Sequence, residues 1–140
     1  MIYAPTRDQA RRFLFDTWRK YREAQPLEGL EAVALQVLLA HPEYHPILDD
    51  PQRYAEGDYA PEGGQLNPFL HLNLHLAVEE QLSIDQPPGI RAEFERLRAR
   101  KGEHDAKHDV LECLGEVVWQ AQRNRAAPDA EAYLECLRRR

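Results

Sequence analysis

Apolar residues recur along this chain at intervals of three and four, and no run shows the period-two alternation of a half-buried strand, so the pattern predicts an all-α fold. A first helix is expected from Thr6, which forms a capping box with Gln9, with Ala10, Phe13, Leu14, Thr17, Trp18 and Tyr21 at helical spacing. Pro26 and Gly29 precede a second helix whose run LEAVALQVLL, residues 30–39, is apolar around most of its surface and is expected to be largely buried. It should end near His41, because Pro42 and Pro46 each disfavour helical geometry in the residue before them. Residues 43–65 read as an irregular, Pro- and Gly-rich loop, and loops of that length in compact domains are usually functional or disordered.

Asn67 and Pro68 supply an N-cap and a first-turn proline for a third helix reaching about Ser83. Pro87, Pro88 and Gly89 then turn the chain into a charged helix from about Ile90 to Lys101, which Gly102 breaks or kinks before strong periodicity resumes through Asn124. A last short helix begins near Pro128 and ends in Arg138, Arg139 and Arg140, cations that favour a helix C-terminus. The expected architecture is a single-domain helical bundle of about five or six helices over residues 1–140, with one long loop at about 43–66.

Composition narrows the partners. A formal charge of −6 argues against a general basic surface for nucleic acid. The longest apolar stretch, Ala32 to Ala40, is interrupted by Gln36 and too short to span a bilayer, and the N-terminus lacks a signal core. A soluble, cytoplasmic protein is expected, with no membrane partner, and with homo-oligomerisation open to a helical bundle. Cys113 and Cys136, in no zinc-finger or redox spacing, read as buried or inert thiols. Arg7, Arg11, Arg12, Arg19, Lys20 and Arg22 make the first helix basic, whereas Glu43, Asp49, Asp50, Glu56, Asp58 and Glu62 make the loop acidic. Such faces are usually just solvated.

The candidate chemistry lies in the histidines. All six fall into three pairs four residues apart, each followed four residues later by a carboxylate: His41, His45, Asp49; His71, His75, Glu79; His104, His108, Glu112. Residues four apart share a helix face, so one pair can offer two imidazoles to one ion. With His71 at zero on a wheel of about 100° per residue, His75 falls near 40° and Val78 near −20°; with His104 at zero, His108 falls near 40° and Leu111 near −20°. Both pairs are therefore expected on apolar faces, with Glu79 and Glu112 near 80° at the edge of each stripe. Asp105 and Asp109, near 100° and 140°, are expected to face solvent.

Two such faces packed together would gather four imidazoles and two carboxylates, and burying that many polar groups is costly unless they pair or bind metal. His71, His75, His104 and His108 are the expected ligands of one or two transition-metal ions, zinc or iron foremost. Glu79 and Glu112 are expected as ligands or as acceptors behind the imidazoles, and His41 as an additional ligand. His45 and Asp49 are less secure, lying where the prolines interrupt the helix. The zincin motif H-E-x-x-H is absent, since Pro42, Leu72 and Asp105 stand where its glutamate would be.

The functional expectation is a metal-binding helical protein, a metal-dependent hydrolase or oxidoreductase acting on a small molecule, with no catalytic residue assigned. The alternative is a non-enzymatic structural or interaction protein whose inward His and Glu form a hydrogen-bond network. A minor alternative rests on His104-Asp105 and His108-Asp109, which resemble the metal-binding step of HD-type phosphohydrolases; there His71 or His75 would be the upstream ligand and Asp129 a downstream one.

The stretches HPEYHPIL, NPFLHLNLHLAVEEQLSIDQPPGI and HDAKHDVLECLGEVVWQAQR together resemble a small bacterial family of uncharacterised proteins, DUF1841, from the first helix to about Arg123. The resemblance implies a stand-alone protein and supplies no catalytic residues, so the site assignment comes from spacing alone.

Overall fold

The computed structural model describes residues 7–54 and 68–140, and these are mostly helical, with no strand among them. Eight α-helices occur there: α1 (Arg7–Arg22), α2 (Leu30–Leu39), α3 (His45–Leu48), α4 (Pro51–Tyr54), α5 (Pro68–Ile84), α6 (Ile90–Lys101), α7 (Glu103–Asn124) and α8 (Ala130–Arg138), with a 3-10 turn at Pro42–Tyr44. The count exceeds the expected five or six for two reasons. Gly102 at φ 89° ends α6 and opens α7, a backbone conformation that glycine adopts without a Cβ penalty. Residues 42–54, most of which belong to the stretch from 43 expected to be irregular, form three short helical segments, because their prolines occupy first-turn positions, where the missing N–H has no partner to lose. Thr6 and Asn67, the expected caps of the first and third helices, and residues 55–67 of the loop lie outside the described residues.

The chain packs as two compact units, Met1–Leu76 and Ala77–Arg140, and the division falls within α5. In the first, α1 packs on α2 and α3 around Leu14, Phe15, Trp18, Val37, Leu38, Leu48, Phe69 and Leu72. Trp18, 2% exposed, is the largest of these; its indole N–H donates to Asp49 Oδ1 at 2.7 Å, and its ring meets the His45 ring at 4.4 Å between centroids. Only Ala34, Val37 and Leu38 of α2 are buried; Val33 and Leu39 are exposed, so α2 buries one face and not, as its composition suggested, most of its surface.

In the second unit α6, α7 and α8 pack on one another. The buried residues of α7 are Ala106, Asp109, Val110, Leu111, Cys113, Leu114, Val117 and Ala121, most of them spaced by threes and fours. Most of these lie opposite the face that the wheel built on His104 expects: Leu111 is buried as expected, but His104 is exposed, and Asp109, expected in solvent, is buried with Lys101 Nζ 2.6 Å from its Oδ2. A charge in the track is tolerated because the lysine neutralises it. The expected inert thiols are instead a disulfide, Cys113–Cys136, which ties α7 to α8 across 23 residues. Closing a loop of that length contributes about 3 kcal/mol in the chain-entropy account. α8 has its own supports as well: Asp129 caps its N-terminus by accepting from Glu131 and Ala132 N–H, and the Tyr133 hydroxyl donates to Gln81 at 2.7 Å. No helix among the described residues is long and apolar enough to cross a membrane.

Asp49 gives the first unit an acid-sensitive contact. Hydrogen bonds from Arg22, then from Trp18, hold its carboxyl below the usual aspartate range. A depressed carboxylate contributes stability that is complete above its unfolded value, about 4, and lost as pH falls through the lower folded value. The contribution is modest because the Asp49 and Arg22 side chains are about half exposed. Asp49→Asn is expected to lower the melting temperature at pH 7 and to converge on wild type as pH drops toward 3, checked by thermal unfolding across that interval. A constant offset at every pH would contradict the account.

Candidate metal centre

α2 is followed at once by the 3-10 turn, and the junction places His41 just beyond the last helical carbonyls. Its ring nitrogen Nδ1 lies 2.8 Å from Val37 O. A carbonyl can only accept, so Nδ1 carries the hydrogen and the lone pair resides on Nε2. This is the arrangement in which a backbone carbonyl orients an imidazole ligand and raises its basicity.

On α5, four-residue spacing sets the His71 and His75 rings 4.7 Å apart. The His41 ring lies 5.0 Å from that of His71 and 4.5 Å from that of His75, edge-on to both. His41 and His75 are each 7% exposed, and His71 is half-buried. One ring nitrogen from each residue lies within 4.8 Å of the others. Two nitrogens bound to one tetrahedral zinc stand about 3.3 Å apart, so modest ring rotations bring the three to coordinating distance. All three belong to the first unit, and among the described residues no other group of three His, Cys, Asp or Glu side chains gathers in this way.

Tyr44, from the same 3-10 turn, stacks on the His41 ring at 5.8 Å with planes 5° apart and meets His71 edge-on at 6.1 Å. Burial, aided by the Glu43 charge, raises its pKa, so it presents a phenol O–H at neutral pH. In the sequence it is only one residue of the loop expected at 43–65. No spacing rule connects it to the histidines.

The remaining candidates serve other contacts. His45 Nε2 donates to Leu38 O at 2.7 Å with its ring against Trp18, and Asp49 accepts from Trp18 and Arg22. In the second unit the His104 and His108 rings are 4.4 Å apart, and His108 Nδ1 donates to His104 O at 2.9 Å. Glu79 pairs with Lys107, and Glu112 with Arg140 at 2.6 Å. Of the seven expected metal residues, His41, His71 and His75 are therefore brought together. His104, His108, Glu79 and Glu112 lie in the other unit.

A family model described as Domain of unknown function (DUF1841) matches residues 6–139. No curated protein and no solved structure matches the chain.

Proposed function

The chain belongs to the DUF1841 family, whose description assigns no activity, and from that premise we propose that it is a metal-binding protein in which His41, His71 and His75 hold one transition-metal ion, zinc or iron(II). The carrying observation is the convergence of three imidazoles, two of them buried, with the His41 tautomer set by Val37 O. Three neutral imidazoles form a donor set for a borderline divalent ion and leave coordination positions for water or substrate. That set suits hydrolysis by activated water with zinc, or dioxygen chemistry with iron(II), acting on a small molecule. Tyr44, whose ring packs on those of His41 and His71, is the candidate proton donor in this reading.

A second reading, a non-catalytic protein whose histidines fix the end of α2 against α5, draws on the same His41 hydrogen bond. Metal analysis of protein purified without a nickel column separates the two. The proposal expects close to one equivalent of zinc or iron, or its uptake on adding Zn²⁺ or Fe²⁺ under reducing conditions. Occupancy below about a tenth of an equivalent, with no uptake, would leave the network reading.

A further inference from the structure

The second unit contains a cleft of about 890 Å³ between α7 and α8, lined by Glu116, Ala121, Asn124, Ala132, Cys136 and Arg139 among others. One sulfur of the Cys113–Cys136 disulfide belongs to its wall. Cys113 is fully buried, whereas Cys136 is half-buried and lines the cleft. Glu116 Oε2 lies 3.9 Å from Cys136 Sγ. We propose that this cleft is a thiol-exchange site, in which a small, peptide-like thiol binds and attacks Cys136 Sγ.

Access selects that sulfur, because only Cys136 opens onto the cleft while Cys113 is fully buried. The alanine side chains give the cleft apolar walls, and its rim carries both signs, Glu116, Asp129 and Glu135 against Arg139 and Arg140. A zwitterionic ligand of a few residues fits that mixture better than a polyanion.

In the first step the incoming thiol loses its proton to solvent or Glu116, its sulfur bonds to Cys136 Sγ, the Sγ–Sγ bond breaks, and Cys113 leaves as a thiolate that takes up a proton. A second thiol then attacks the added sulfur, releasing Cys136 and a low-molecular-weight disulfide. Overall two thiols are oxidised by two electrons while the protein disulfide is reduced to a dithiol. α8 remains docked throughout, held by buried Tyr133, Leu134 and Leu137 and by Arg96 Nη2 donating to Leu137 O at 2.8 Å. Exchange therefore does not require unfolding.

The test treats the full chain, with its disulfide intact, with limiting reduced glutathione under native conditions, followed by acid quenching and peptide mapping. The mixed disulfide is expected on Cys136 in about tenfold excess or more over Cys113, with helical circular dichroism retained. Adduct on Cys113, equal labelling, or reduction only in step with loss of helicity would overturn the proposal. Ala132→Trp, at an exposed position on the cleft wall, addresses ligand size. It is expected to slow glutathione about tenfold relative to 2-mercaptoethanol. An unchanged ratio would remove the binding role of the cleft, and the mapping on wild type stands whether or not this variant folds.

Discussion

His75→Ala is expected to abolish stoichiometric metal uptake, lowering affinity for Zn²⁺ by more than about a hundredfold, which is the upper range for losing a group that merely supports a ligand. The effect should exceed that of His71→Ala, because the His71 ring is half-buried and water can take its place more readily, whereas His75 is 7% exposed and its removal leaves a cavity beside His41. His104→Ala and His108→Ala should leave affinity and stoichiometry unchanged, since their rings pair with each other in the second unit. Calorimetric titration of metal-free protein with Zn²⁺ checks all four. Loss of the tight equivalent in His104→Ala with retention in His75→Ala would move the centre to α7 and sink the assignment made from the first unit.

The largest stability effect is expected at Trp18. Its ring fills the first unit's core, its N–H is the partner of Asp49, and Arg22 lies over its face with the guanidinium carbon 4.8 Å from the ring centroid. Trp18→Ala removes the packing and leaves a cavity, a change that typically costs 3–5 kcal/mol, about enough to unfold a marginal unit. Trp18→Phe keeps most of the ring and loses the hydrogen bond, for a cost of about 1–2 kcal/mol. Urea denaturation followed by circular dichroism reads both as shifts in midpoint. A Trp18→Ala shift worth less than about 1 kcal/mol would mean that α1 is not seated on this residue.

These contacts mark where sequence reasoning carries and where it stops. The α5 pair was legible because four-residue spacing on a regular helix fixes proximity whatever the tertiary structure. α5 also buries Phe69, Leu72, Leu76, Ala77 and Val78, around much of its circumference, so a histidine there is inward on almost any wheel. α7 offered no such margin. Its buried face holds Val110, Leu111, Leu114 and Val117 but also two alanines, a cysteine and the charged Asp109, and the lysine that makes Asp109 acceptable sits beyond the Gly102 break. Centring the wheel on His104 then assigned the stripe to the wrong side. The disulfide joins cysteines 23 residues apart in no motif, and its existence depends on how α8 returns against α7. His41 was legible only as a helix-end candidate, since its approach to α5 is set by the turn at Pro42.

The first histidine pair also serves α2, which no spacing rule shows. Val37 O and Leu38 O belong to the last turn of that helix, whose carbonyls find no intrahelical N–H, and the two imidazoles that follow provide donors to both. The end of this ten-residue helix is therefore closed by the same ring that faces His71 and His75. By reciprocity, whatever restrains the far nitrogen of His41 also restrains the winding of α2, and fraying of that last turn loosens the grip on anything held there. Helix order and occupancy of the histidine cluster are two readings of one equilibrium, so amide exchange at Ala40 and His41, whose N–H groups bond to Gln36 O and Leu38 O, would register a ligand that never touches the backbone.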